Sequence, residues 1–205
     1  MALFLHLPTI MKKKKHPKGK IHGPLRAHLH RRDNTLSICM IVKNEEENLP
    51  LILSDIRGLA DELIVVDTGS TDRTITIAHT MGARVVSQAW TGDFSFARNR
   101  SKDEAKAGWI LWLDADDRIE PEDVKKLQSL KHTLKDDCVY SLQIISKIAG
   151  GFSPPFMQAR LFPNDPRLIF ENRVHESITM SAKRHGFKGV HLPVKIIHTG
   201  YEKLE

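Results

Sequence analysis

An α/β fold, with a mostly parallel sheet covered by helices on both faces, is what this 205-residue sequence predicts. Three observations lead there. Short apolar runs such as LSICMIV, ELIVVD and WILWLD are continuous, as strands buried on both faces are. Stretches with helical apolar spacing, closed by glycine, stand between them at βαβ distance. The chain beyond residue 34 is also long enough to enclose a sizeable core in one domain.

Each element has its own signal. Residues 36–42 form the first strand. Asn44 or Asn48 then caps a helix with Leu49, Ile52, Leu53 and Ile56 on its apolar side, Pro50 in its first turn and Gly58 beyond its end. Residues 62–67 are the second strand, and Ser70 or Thr71 opens a helix running to about Met81 and stopped by Gly82. Residues 84–88 make a third strand, 94–107 a helix closed by Gly108, and 109–114 a fourth strand. A helix over 121–130 carries Glu120, Glu122 and Asp123 at its positive end; a strand over 138–146 follows. Beyond Ser146 the alternation stops. Gly150, Gly151, Pro154 and Pro155 break the chain, and short strands at 157–161, 168–170 and 192–198 predict a small antiparallel, loop-rich C-terminal part.

The net charge of +6 is unevenly distributed. Residues 1–34 hold nine Lys/Arg against Asp33, a net of +8, whereas the remainder carries −2. Scattered Pro, Gly and His with no apolar period predict a flexible basic arm over 1–34 and a folded domain over 35–205. The arm favours an anionic membrane surface. No aromatic-rich basic face in the body supports a specific nucleic-acid partner. Cys39 and Cys138, far apart and each in an apolar run, read as reduced thiols and exclude a disulfide scaffold. No run approaches the ~20 apolar residues that span a bilayer, and the opening MALFLHLPTIM has its lysines after it, unlike a signal peptide. The expected location is cytoplasmic, peripheral at the inner membrane face through the arm.

In an open parallel sheet, ligands bind beyond the carboxyl ends of the strands. There the first strand delivers Lys43, Asn44 and Glu45, the second DTGSTD, and the fourth DADD. The absence of GxxxxGK[ST], and of GxGxxG after the first strand, argues against a P-loop and a dinucleotide site. Isolated cysteines argue against zinc. Asp114 and Asp116 project to one side in extended backbone, and carboxylate oxygens suit Mg²⁺ or Mn²⁺, which complete their shell with water and substrate phosphates. The same pair could instead cap the following helix.

The segments KNEEEN, VVDTGSTDRT, DFSFARN, WILWLDADD, RVHES and IIHTGY, in this order over residues 36–201, together resemble glycosyltransferase family 2. The wording is closest to the branch resembling lipooligosaccharide β-1,4-glucosyltransferases. The resemblance implies the GT-A nucleotide-sugar fold, with further helices after the point where this sequence stops. It implies that Val42, Lys43, Asn44, Glu45 and Asp67 line a nucleotide pocket, although Thr68 stands where many relatives carry a second acid. Arg98 would reach the nucleotide, an ion pair with Asp93 being the alternative. Asp116 would ligate Mn²⁺ or Mg²⁺ directly, with Asp114 nearer the ribose or a metal water and His198 as a third ligand. Glu176 would be the base, with His175 as its orienter or alternate.

The implied activity is metal-dependent, inverting transfer of a hexose from a nucleoside diphosphate sugar, such as a UDP-sugar, to a hydroxyl of a saccharide, lipid-linked or protein acceptor. The alternative is a non-catalytic module of the same fold that binds a nucleotide sugar or acceptor.

Overall fold

The structure, a computed structural model, describes residues 33–200. Nearly all of the basic arm, and Tyr201 of the last motif, lie outside the described residues. The elements are β1 (Leu36–Val42), α1 (Leu49–Asp55), β2 (Glu62–Asp67), α2 (Thr74–Thr80), β3 (Arg84–Ser87), α3 (Phe94–Asp103), β4 (Trp109–Leu113), β5 (Asp117–Arg118), α4 (Pro121–Leu130), β6 (Cys138–Ile148), β7 (Gly151–Phe152), β8 (Phe156–Pro163), α5 (Thr179–Arg184) and β9 (Lys188–His198).

One sheet runs β3-β2-β1-β4-β8-β6-β9-β5, with β7 paired to β6. The first four strands are all parallel, with Met40 opposite both Val65 and Leu113. Alternate residues of β1 and β4 serve opposite faces. Ile38, Met40, Leu111 and Leu113 pack with Leu49, Ile52 and Val124 of α1 and α4, while Cys39, Ile110 and Trp112 pack with Phe162, Phe170 and Ala182. Full burial of each such side chain stabilises the fold by about 1.5–3 kcal/mol. Both cysteines are buried free thiols, and burial pushes the Cys39 thiol well above its usual range.

Several expectations are corrected. The C-terminal part, expected to be small and antiparallel, is built into the main sheet and is only partly antiparallel: β8 lies inside the sheet, antiparallel to both β4 and β6, whereas β9 runs parallel to β6. Residues 168–170 form no strand, because side chains take their backbone groups. Asn99 accepts from Phe170 N and donates to Phe170 O, while Ser181 Oγ accepts from Ile169 N and donates to Ile169 O. The helix expected over 94–107 stops at Asp103, and neither Ser70 nor Thr71 caps α2; Asp72 does so in effect, accepting from Thr74 N at 2.9 Å. Asn48 precedes α1 without a side-chain cap, and Asn44 instead accepts from Thr71 N at 2.8 Å. β5, β7 and α5 had no sequence signal strong enough to predict them, being six residues long at most.

Candidate functional site

The parallel strands β2, β1 and β4 end side by side, and the fourth leads directly into the acidic cluster. β4 stops one residue earlier than expected, at Leu113, because the chain turns: Asp117 N donates to Asp114 O at 3.2 Å. Asp114 and Asp116 are therefore brought together by a turn and not by extended backbone. The turn feeds β5, whose Asp117 pairs antiparallel with His198 at the end of β9. Thr199 fastens the junction, its N and Oγ1 donating to Asp116 O at 2.9 and 2.8 Å.

The result is a compact donor set. One ligand atom from each of Asp114, Asp116, Asp117 and His198 lies within 4.8 Å of all the others. Asp117, which the sequence reading passed over, is fully buried; it accepts from Asp114 N at 2.8 Å and Arg160 Nη1 at 3.1 Å, and faces His198 Nδ1 at 3.0 Å. This carboxylate favours the Nδ1–H tautomer of neutral His198, leaving Nε2 to present a lone pair. Asp117 also raises the proton affinity of the His198 ring, burial opposing it. For Asp116, burial is the leading cause of a carboxyl pushed up to about 6, with His198 opposing and Asp114, Asp117 and Glu45 adding to the rise.

A cation fits this arrangement on two grounds. Clustered, partly desolvated carboxylates oppose one another's ionisation until positive charge is supplied. The backbone also leaves room beside them, since a Cβ on Gly200 would fall 2.0 Å from Asp116 Oδ2 and 3.1 Å from His198 Nε2. A hard oxygen-rich set with one imidazole suits Mn²⁺ or Mg²⁺.

Behind the cluster, the Trp112 ring is sandwiched between two guanidinium groups, Arg98 at 3.9 Å and Arg160 at 3.6 Å. Arg98 does not pair with Asp93, which caps α3 by accepting from Phe96 N. Buried instead, Arg98 donates to Asp114 Oδ1 at 2.5 Å and to Glu176 Oε1 at 2.9 Å, and its Nη1 is buried without a hydrogen-bond partner. Arg160 Nη2 reaches Asp114 Oδ2 at 3.3 Å. Burial alone would raise the Asp114 carboxyl, but the two arginines outweigh it and hold the group well below the usual carboxylate range.

Glu176 sits on a tight loop closed by reciprocal backbone bonds between Glu171 and Ser177, both 3.1 Å. Asn172 and His175 in that loop have φ of 78° and 58°. Non-glycine residues rarely adopt such angles, which recur at functional loops. His175 itself is exposed.

Val42, Lys43, Glu45, Asp114 and Asp116 line one cleft of about 240 Å³, together with Thr68 and Trp90. Asp67 is turned onto its own loop, accepting from Gly69 N and Ser70 N at 3.0 and 3.1 Å, while Asn44 bridges to residues 70 and 71. A larger hollow of about 540 Å³, lined by Leu53, Ile56, Leu63 and Met81, lies away from the acidic cluster and has no carboxylate in its wall. Sequence reasoning missed Asp117, Arg160 and Trp90. The third acid of DADD was visible in the motif, whereas nothing local marks Arg160.

Residues 37–191 match the family model for glycosyl transferase family 2. A TPR repeat-containing protein of Synechococcus elongatus is 38% identical over 143 residues, which are 70% of this chain and 35% of that protein. An SPbeta prophage-derived glycosyltransferase, SunS, of Bacillus subtilis is 28% identical over 176 residues, 83% of this chain and 41% of its own length. The chain thus spans well under half of these curated relatives. Among solved structures, S. aureus TarS 1-349 in complex with UDP superposes with a TM-score of 0.64 at 19% identity, over 80% of this chain and 60% of that one. That likeness agrees with the GT-A fold expected from the motifs. With its model covering three quarters of the sequence and the acidic turn at the end of β4, the chain belongs to glycosyl transferase family 2.

Proposed function

We propose that this chain transfers a hexose from a nucleoside diphosphate sugar to a hydroxyl of a saccharide, lipid-linked or protein acceptor, with inversion at the anomeric carbon. The observation that carries this reading is the convergence of Asp114, Asp116, Asp117 and His198 within 4.8 Å at the carboxyl end of the parallel strands, in a chain of this family. A uridine nucleotide is the first donor to test, because the fold neighbour TarS has been crystallised with UDP and with UDP-GlcNAc.

Asp116 and His198 are the groups that would hold Mn²⁺ or Mg²⁺. Asp114 and Asp117 are already engaged by arginines and act from behind. When bound, the cation supplies positive charge against the departing diphosphate. Val42, Lys43 and Glu45 would contact the nucleotide, and Asn44 and Asp67 would shape the loops around it. The unpartnered Nη1 of Arg98 offers a donor to an oxygen of the bound donor. Glu176 would take the acceptor's proton as its oxygen attacks, a role typically contributing 10² to 10⁴ in rate, with Arg98 orienting the carboxylate through the hydrogen bond to Oε1 and His175 beside it. No described helix is long and apolar enough to cross a membrane; cytoplasmic residence, with an arm drawn to anionic lipid, is part of the same proposal.

The test is a sugar-nucleotide turnover panel with and without Mn²⁺, paired with Asp116→Ala. Metal-dependent turnover that this substitution abolishes while the thermal unfolding midpoint is retained would support the reading. An undiminished rate for Asp116→Ala would refute the metal assignment, and a binding response with no turnover on any donor would favour the non-catalytic module.

A further inference from the structure

The described residues include three tryptophans, and their burial divides them sharply. Trp109 and Trp112 are core residues at 2% and 3% exposure, whereas Trp90 is 40% exposed. Trp90 lies between β3 and α3 and lines the same cleft as Lys43, Thr68 and Asp116. The motif loop after β1, KNEEEN, brings no aromatic ring to this cleft, and Ile41, Val42 and Thr68 supply only aliphatic or hydroxyl surface. Its aromatic surface comes from Trp90 and Phe94 alone.

That aromatic wall is fixed in place. The Phe94 ring meets Trp90 edge to face, with centroids 4.7 Å apart and planes at 67°. Phe94 opens α3, and its N donates to Arg173 O at 3.0 Å. Arg173 Nη2 donates in turn to Gly92 O at 3.2 Å, across a turn in which Gly92 takes a φ of 75°. The wall is therefore held at both its base and its preceding turn by the loop that carries Glu176.

We infer that the Trp90 ring, braced by Phe94, is the stacking platform for the nucleobase of the donor. The inference rests on the nucleotide-sugar reading above and extends it to a residue that binds the donor's base. The chemistry that selects this ligand is a planar π face joined to an anionic diphosphate, set between an aromatic wall and the carboxylate cluster where a cation would bring the phosphates. Stacking of a base on an aromatic ring is tolerant of base identity, so Trp90 supplies affinity for nucleobases as a class and hydrogen bonds elsewhere in the cleft choose among them.

The experiment measures UDP and inorganic pyrophosphate binding, each with Mn²⁺, by calorimetry and by intrinsic tryptophan fluorescence, for the wild-type chain, Trp90→Ala and Trp90→Phe. The expected result is quenching by UDP in the wild type, a UDP affinity weakened roughly 5- to 150-fold in Trp90→Ala, substantial rescue in Trp90→Phe, and pyrophosphate affinity unchanged throughout. Equal losses for UDP and pyrophosphate would mean general damage to the cleft and would overturn the stacking role. Wild-type UDP binding that Trp90→Ala leaves intact would overturn the platform while sparing the donor reading. Failure of the wild type to bind any nucleotide would sink both.

Discussion

Gly200→Ala is the sharpest perturbation of the candidate cation site, because it adds one methyl group and removes nothing. The new Cβ would stand 2.0 Å from Asp116 Oδ2, where ordinary contact begins near 3.4 Å, and 3.1 Å from His198 Nε2. The carboxylate oxygen must therefore move by more than an ångström. Metal–ligand distances tolerate about 0.2 Å, so Asp116 cannot keep its place in the donor set. Disturbing even an outer partner of a ligand typically lowers metal affinity 10- to 100-fold, and direct displacement of a ligand should cost at least as much. Gly200 is exposed and its φ lies outside the left-handed region, so no backbone strain accompanies the change. Gly189→Ala, near the start of strand β9, whose other end lies two residues before Gly200, has nothing within 4 Å of the added carbon and is the control. Titration of Mn²⁺ followed by electron paramagnetic resonance should show the loss in Gly200→Ala and wild-type affinity in Gly189→Ala, with similar unfolding midpoints. Mn²⁺ affinity within twofold of wild type in Gly200→Ala would refute the placement of the cation between Asp116 and His198.

Other outcomes follow from the same geometry. Glu176→Gln should lower the transfer rate by about 10² to 10⁴ while UDP binding by calorimetry stays near wild type, since the amide oxygen can still accept from Arg98; a rate within threefold of wild type would remove Glu176 from the base role. Asp117→Ala should destabilise the protein by about 1–3 kcal/mol in urea unfolding, because it removes the acceptor of the buried Asp114 N–H and one of the two carboxylates paired with Arg160, which keeps Asp114. Asp116→Ala should cost far less. In metal-free protein, the Asp116 carboxyl at about 6 against an ordinary 3.8 binds its proton more tightly folded than unfolded, so its ionisation between about pH 4 and 6 lowers stability. The raised His198 acts in the same sense, its contribution being lost as pH rises through its folded value. The unfolding midpoint should thus fall on alkalinisation from pH 5 to 7 without metal, and the stabilisation by Mn²⁺ should grow across the same interval; an Mn²⁺ shift independent of pH would contradict the competition between proton and cation at Asp116.

The N-terminal half was legible in the sequence because its information is local. β1 and β2 have the bounds that their apolar runs predict, as does α4 with Pro121 in its first turn and acids at its positive end. Asp114, Asp116 and His198, named from motifs, converge in space. Arg98 was placed near the nucleotide by resemblance, yet its observed partners, Asp114 and Glu176, are 16 and 78 residues away and could not be read from its neighbourhood. The same holds for Arg160, an unremarkable residue in β8 until the antiparallel insertion of that strand beside β4 carries it beneath the acidic turn.

What the sequence by itself determined, then, is the parallel half of the sheet and the chemical identity of the acidic cluster, because burial of continuous apolar strands and the run of carboxylates after β4 need no distant partner to be recognised. Only the tertiary structure decided how those carboxylates are arranged and paired. The pairing of β5 with β9 sets His198 against Asp117, and two buried arginines on either face of Trp112 neutralise Asp114. The physical reason is that charge in a desolvated site is governed by whatever stands within a few ångströms. Here those neighbours arrive from strands and loops up to 84 residues further along the chain, His198 relative to Asp114.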